Sequence, residues 1–152
     1  RLPPHFRNFG KRLVKTPKLY FLDVGLAAWL LGIRDAAALN VHASRGALFE
    51  TWAVAEYVKH RFNAGQPADA YFWRDHVGRE IDLLFESAGQ LQAIEMKSGA
   101  TFVPEWIEAV RTWLGYAGDA ARPPCIVYGG DASMTRDGVR LIGWRDWLRD
   151  PG

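Results

Sequence analysis

The run "EIDLLFESAGQLQAIEMKSG", residues 80 to 99, constrains this chain more than any other stretch. Two segments with strand-like alternation flank a Ser-Ala-Gly break, the pattern of a β-hairpin. A turn centred on Ala88-Gly89 pairs residues whose numbers total 177, so Asp82 falls opposite Glu95. Directly opposed residues hold their Cβ atoms about 4.5–5.5 Å apart. Period two puts Asp82 on a face with Glu80, Leu84 and Glu86, and Glu95 on a face with Leu91, Ala93 and Lys97. Two ionised carboxylates that close repel unless a cation lies between them. A hard divalent ion such as Mg²⁺ would resolve the conflict, because it takes oxygens from carboxylates, waters and substrate phosphate. Lys97 then offers an ammonium that orients a water or neutralises charge building on a phosphate.

The rest of the chain supplies layers for this hairpin. "KLYFLDVGLAAWLLGI" (18 to 33) begins as a strand-like aromatic run and continues as a short apolar helix ending near Gly32. A loop with Asn40 and Ser44 follows, and Ser44 is read as a helix cap rather than a nucleophile. "GALFETWAVAEYVKHRF" (46 to 62) has helical spacing, with Leu48, Trp52, Ala55 and Val58 as its main stripe. "AYFWRD" precedes the hairpin as a strand, and residues 104 to 118 form a helix with Pro in its first turn. Trp106 and Trp113, seven apart on that helix, are core or interface anchors. "PCIVYGG" is a strand covered on both faces, "GVRLIGW" a last short strand and "RDWLRD" a terminal helical turn. The order is α-β-β-β-α-β, an α/β fold with a mixed sheet flanked by helices. Residues 1–40 are read as a basic connector and helical preface, and residues 41–152 as the main domain.

Glu50 adds a third acid. Its neighbours one and two turns on are Ala53, Val54 and Tyr57, so it faces a largely apolar side, whereas Glu56 has Lys59 and His60 beside it and faces solvent. Read alone, Glu50 is a first-turns acid favoured by the helix dipole, while Asp82 is as well a strand-edge acid and Glu95 with Lys97 as well a surface ion pair. Together, a helix acid, a strand acid and Glu-x-Lys on the partner strand make a constellation. Glu105 is a weaker candidate, being an acid at a helix start. His5, His42, His60 and His76 lack ligand spacing for zinc.

The sequence "FE" at 49–50, "GREIDLLFE" at 78–86 and "IEMKSG" at 94–99 resembles the PD-(D/E)XK nuclease-like superfamily, with its restriction-endonuclease-like core. Ile81 stands before Asp82 where the superfamily's name has proline. Within that superfamily the segments "PKLYFLDVGLAAWLLGI", "GALFETWAVAEYVKHR" and "YFWRDHVGREIDLLFE" look like those of the C-terminal domain, of unknown function, that accompanies prokaryotic AAA-type P-loop ATPases. The resemblance implies an upstream ATPase module in the same chain, and this sequence holds no GxxxxGK[ST] loop of its own. It also implies Mg²⁺ or Mn²⁺ held by Glu50, Asp82 and Glu95, with the Met96 carbonyl as a further ligand. Asp82, Glu95 and Lys97 would then be the catalytic set for phosphodiester hydrolysis of DNA. The alternative expectation is a non-enzymatic module that binds a protein partner or assembles the ATPase.

Composition bears on partners and setting. Residues 1 to 18 carry six basic residues (Arg1, Arg7, Lys11, Arg12, Lys15, Lys18) and no acid, leaving 13 basic against 17 acidic groups in the remainder. Such an arm either grips phosphates or is a solvated connector. Trp73 and Arg74, with His76 and Arg79, are read as a basic-aromatic rim for nucleic acid. "GGD" at 129–131 is a strand-end turn and a weak phosphate-cradle candidate. The lone Cys125 excludes an internal disulfide and fits a packed thiol in a cytoplasmic setting. No apolar run approaches the roughly 18–20 residues of a membrane span, and no signal-peptide pattern opens the chain. An Arg at position 1 is the expected mark of a piece of a longer protein.

Overall fold

Four consecutive apolar residues, Cys125–Tyr128, need cover on both faces, and they form an interior strand of a six-stranded mixed sheet. The computed structural model describes residues 1–5 and 16–151, so Arg7, Lys11, Arg12 and Lys15 of the basic arm lie outside the described residues. In chain order the elements are α1 (Val24–Leu30), α2 (Ala36–Val41), α3 (Arg45–Asn63), β1 (Ala70–Arg74), β2 (Glu80–Ser87), β3 (Gln90–Lys97), α4 (Glu105–Ala117), β4 (Cys125–Tyr128), β5 (Met134–Arg136), β6 (Val139–Gly143) and α5 (Trp144–Arg149). The sheet order is β1-β2-β3-β4-β6-β5. The first three strands form an antiparallel meander, β3, β4 and β6 run parallel, and β5 returns antiparallel at the far edge. Helix α4 carries the chain from β3 to β4, the crossover that parallel neighbours require. The expected α-β-β-β-α-β order is therefore present.

Two cores sandwich the sheet. On one face, Ile107, Val110 and Trp113 of α4 pack on Trp73, Ile81, Leu84, Ala93 and Ile126. On the other, Ala53, Val54 and Tyr57 of α3 and Trp147 of α5 meet Phe72, Leu83, Phe85, Ile94, Met96 and Val127. Trp147 Nε1 donates to the Ala53 carbonyl at 3.0 Å and ties α5 to α3. Helices α1 and α2 lie on the outer side of α3 around Leu48, Ala27 and Ile33. Asp23 and Asp35 cap them by accepting from Leu26 N and Ala38 N. Cys125 is buried, and burial pushes its thiol above the usual range. No helix among the described residues is long and apolar enough to cross a membrane.

Several expectations need correction. The face of α3 that meets the sheet carries Ala53, Val54 and Tyr57, while Trp52 and Val58 of the expected stripe are only half-buried. Residues 36–41, expected as loop, are helical, and β5 forms a strand that was not anticipated. The aromatic run after Lys18 forms no strand; among the described residues its one ladder contact is a bridge between Leu2 and Lys18. Trp113 is a core anchor, whereas half-buried Trp106 packs beside Phe102 and Tyr128. At "GGD", backbone packs where a phosphate cradle would need space: a Cβ on Gly129 would lie 2.5 Å from the Ser98 carbonyl oxygen.

Candidate functional site

The hairpin turn has Ala88 at φ 52° and Gly89 at φ 78°, two left-handed residues as in a type I′ turn. That turn fixes the expected register, and the ladder follows it from Ser87–Gln90 to Leu83–Ile94. One step further, where Asp82 would face Glu95, the strands part. Asp82 Oδ2 instead accepts the backbone N–H of Met96 at 2.9 Å. The cause lies on the other side of β2. Tyr71 pairs with Leu84 and Trp73 with Ile81, so two steps along β1 match three along β2, a β-bulge at Asp82–Leu83. The bulge reverses the alternation. Leu83 and Phe85 face α3, and Leu84 and Ile81 face α4, so Asp82 and Leu84 do not share a face as period two predicted.

Helix α3 brings Glu50 to this fork. Ser44 stands at its N-cap without a side-chain cap bond; its own N–H donates to His42 Nδ1 at 3.0 Å. Arg45 donates to the Ser98 carbonyl at 2.9 Å, which pins the start of α3 to the end of β3. Glu50, Glu80 and Asp82 each offer a carboxylate oxygen within 4.8 Å of the other two. Lys18 is the cation among them: its Nζ contacts Glu50 and Glu80 and lies 3.8 Å from Asp82 Oδ1. Tyr20 donates its hydroxyl to Glu50 as well.

Glu95 and Lys97 lie beside this trio rather than in it. Regular pairing of Glu95 with Ile126 places them in phase with the α4 face of β3. Lys97 Nζ donates to Glu95 Oε1 at 2.7 Å. Glu95 is only 7% exposed, and its Oε2 is buried with no hydrogen-bond partner among the described residues. The Met96 side chain is in the α3-side core, and its N–H serves Asp82. Glu105 is exposed at the start of α4.

Electrostatics follow from burial and crowding. Asp82, 8% exposed, is raised well above the usual carboxylate range, first by burial and then by the charges of Glu95 and Glu50; Lys18 and the Met96 N–H oppose this without reversing it. Burial likewise raises Glu95 against the pull of Lys97. Burial would lower both lysines, but their carboxylate partners win: Glu50, Glu80 and Asp82 raise Lys18, and Glu95 leads the groups that raise Lys97. Both amines are therefore ammonium at neutral pH, which suits Lys97 to positioning and charge stabilisation rather than proton abstraction.

Of the rim residues, Arg74 reaches Glu80 Oε2 at 3.4 Å and so borders the acidic trio. Arg79 donates to Tyr116 OH at 2.7 Å, and His76 is exposed in the β1–β2 turn. Trp73 is fully buried under α4 and cannot stack on a base, which corrects its place in the rim. Buried Asp75 organises that turn by accepting from Val77 N and Arg79 N. Lys18, Tyr20 and Glu80 were not anticipated as site residues. For Glu80 the signal was its place two before Asp82; for Lys18 and Tyr20 it was only their place in "PKLYFLD".

The fold and fork define an α/β domain with an acidic cluster at the end of a mixed sheet. Residues 45–147 match the domain of unknown function DUF4143, and the chain belongs to that family. Residues 1–37 match a second domain of unknown function, DUF8612. The chain is 35% identical over 101 residues to the uncharacterized protein Rv2008c of Mycobacterium tuberculosis and, equally, to the uncharacterized protein Mb2031c of Mycobacterium bovis. Each match covers 66% of this chain and 22% of the relative, so the chain spans about a fifth of the length of the curated relatives it matches. No solved structure matches. Glu50, Glu80, Asp82, Glu95 and Lys97 fall in the first matched segment, and Lys18 and Tyr20 in the second.

Proposed function

We propose that this chain is a PD-(D/E)XK nuclease-like domain of a AAA-type ATPase and hydrolyses phosphodiester bonds of DNA with Mg²⁺ or Mn²⁺. The observation that carries the reading is the convergence of Glu50, Glu80 and Asp82 within 4.8 Å at a strand fork beside a Glu-x-Lys pair. The residues fit a hard dication: the donors are all oxygen, and Glu95 Oε2 is a buried acceptor still lacking a partner among the described residues. Glu50, Glu80 and Asp82 would hold the ion, with Glu95 at its flank. A bound dication would polarise the phosphate and lower the pKa of a water. Lys97, steered by Glu95, would orient that water and offset charge growing on the phosphate. Arg74, beside Glu80 and half-exposed, is placed to meet the nucleic-acid backbone, with His76 and Arg79 further along the same turn. The ATPase association is supported by the resemblance of the segments around Lys18, Glu50 and Asp82.

One observation favours the second reading, a protein-binding module. Leu26, Trp29, Leu30 and Leu31 on and after α1 are all about half-exposed or more, with Trp29 at 58%. Plasmid nicking in Mn²⁺ by wild type, Asp82→Asn and Lys97→Met separates the two. Nicking that both substitutions abolish supports hydrolysis at this fork; nicking that survives Asp82→Asn rejects the assigned residues. Metal binding without nicking favours the protein-binding module.

A further inference from the structure

We infer that Lys18 is the resident cation of the acidic trio and that a divalent ion enters only by displacing it, so the N-terminal strap holding Lys18 sets the metal affinity of the site. This rests on the metal-dependent reading above and adds its regulation.

Three carboxylates within 4.8 Å of one another require positive charge between them. Lys18 Nζ supplies it, touching Glu50 and Glu80 and lying 3.8 Å from Asp82. A six-coordinate Mg²⁺ or Mn²⁺ needs those same oxygens at about 2.0–2.2 Å, so it and the ammonium cannot share the space. Lys97 is paired with Glu95 at 2.7 Å and makes no ion pair with Glu50, Glu80 or Asp82 among the described residues.

Lys18 is also held from behind. Its backbone exchanges two hydrogen bonds with Leu2, Leu2 N to Lys18 O at 2.8 Å and Lys18 N to Leu2 O at 3.0 Å. Leu2 is buried in the α3-side core. Flanking residues continue onto the sheet edge, with Phe72 N donating to Pro3 O at 3.1 Å and His5 N donating to Phe72 O at 2.7 Å. The ammonium also lies over two aromatic rings, its Nζ 5.5 Å from the Tyr20 centroid and 5.7 Å from that of Phe72. Residues 1–5 thus clasp β1 and seat the ammonium in one assembly. Lifting the strap withdraws the cation and leaves three anionic oxygens for a dication.

The test is Mn²⁺ affinity of the full chain, by electron paramagnetic resonance of free Mn²⁺, in wild type, Lys18→Met, Lys18→Gln and Lys18→Arg. Circular dichroism checks each fold, and the two neutral variants guard against one of them failing to fold. The expected result is binding at least tenfold tighter in the neutral variants, with Lys18→Arg near wild type. Leu2→Ser, which loosens the strap and keeps the amine, is expected to tighten binding by a smaller factor. Equal affinity in wild type and neutral variants overturns the inference while leaving the metal reading standing. Weaker binding in the neutral variants also overturns it, since Lys18 would then help to hold the ion. If neither wild type nor any variant binds Mn²⁺, the metal reading fails and the inference with it.

Discussion

Replacing Asp82 by Asn is expected to make the apo domain more stable. Asp82 is 8% exposed and surrounded by Glu50, Glu80 and Glu95, with Lys18 Nζ 3.8 Å from its Oδ1. Burial first, and neighbouring anions second, raise its folded pKa above the unfolded value of 3.8. A group raised in this way contributes stability below its unfolded pKa and loses it as pH rises through the folded pKa. At pH 7.5 the wild type must therefore carry either a poorly solvated charge or a proton held against the bulk pH. Asparagine removes that cost and keeps an oxygen for the Met96 N–H, which now donates at 2.9 Å to Asp82 Oδ2. Relief of a buried, crowded charge is worth about 1–3 kcal/mol, and the lost attraction to Lys18 offsets about 0–1 kcal/mol of it. A net gain of about 1–2 kcal/mol corresponds to roughly 2–8 °C in a domain of this size. Thermal unfolding followed by circular dichroism in EDTA at pH 7.5 and pH 4 provides the assay. The gain should be largest at pH 7.5 and shrink toward pH 4, where the wild-type carboxyl protonates. A melting temperature at pH 7.5 equal to or below that of wild type would refute the reasoning.

Two further substitutions test the frame around the fork. Ala88 sits at φ 52° in the hairpin turn, a conformation that costs an ordinary L-residue roughly 1–2 kcal/mol. Ala88→Asn should raise the urea midpoint by an amount corresponding to about 0.5–1 kcal/mol, and an unchanged midpoint would contradict the turn assignment. At Gly129 a Cβ would lie 2.5 Å from the Ser98 carbonyl oxygen, so Gly129→Ala should destabilise by about 1–3 kcal/mol through overpacking. Chemical denaturation reads it, and a neutral result would mean the Ser98 backbone gives way freely.

Local chemistry made the hairpin legible. The Ser-Ala-Gly break at 87–89 set the register, and that register holds through five pairs. The bulge could not be read because residues 83 to 85 are a continuous apolar run, which contains no alternation to lose when one residue slips. Both faces of the sheet are covered, so apolar residues suit either phase. Helix α2 buries none of its six residues, which left Asp35 as its only signal. Strand β5 is short and exposed, which hides it from a periodicity reading; its one local signal is Asp137-Gly138, both at positive φ, a dipeptide that turns hairpins. Glu50 was legible because helical spacing put it above Ala53, Val54 and Tyr57, all buried. The partnership of Lys18 with Glu50 and Glu80 spans 32 and 62 positions, and no periodicity reaches that far.

The family boundary and the electrostatic unit of this molecule do not coincide. A fragment cut to begin at Arg45 would contain all the acids matched by DUF4143 yet lack the ammonium that lets three of them crowd together. Engineers who trim to that boundary should expect a piece that is charge-frustrated at neutral pH and steadier in acid. Its apparent appetite for cations would measure the missing half of an internal salt rather than the behaviour of the intact chain.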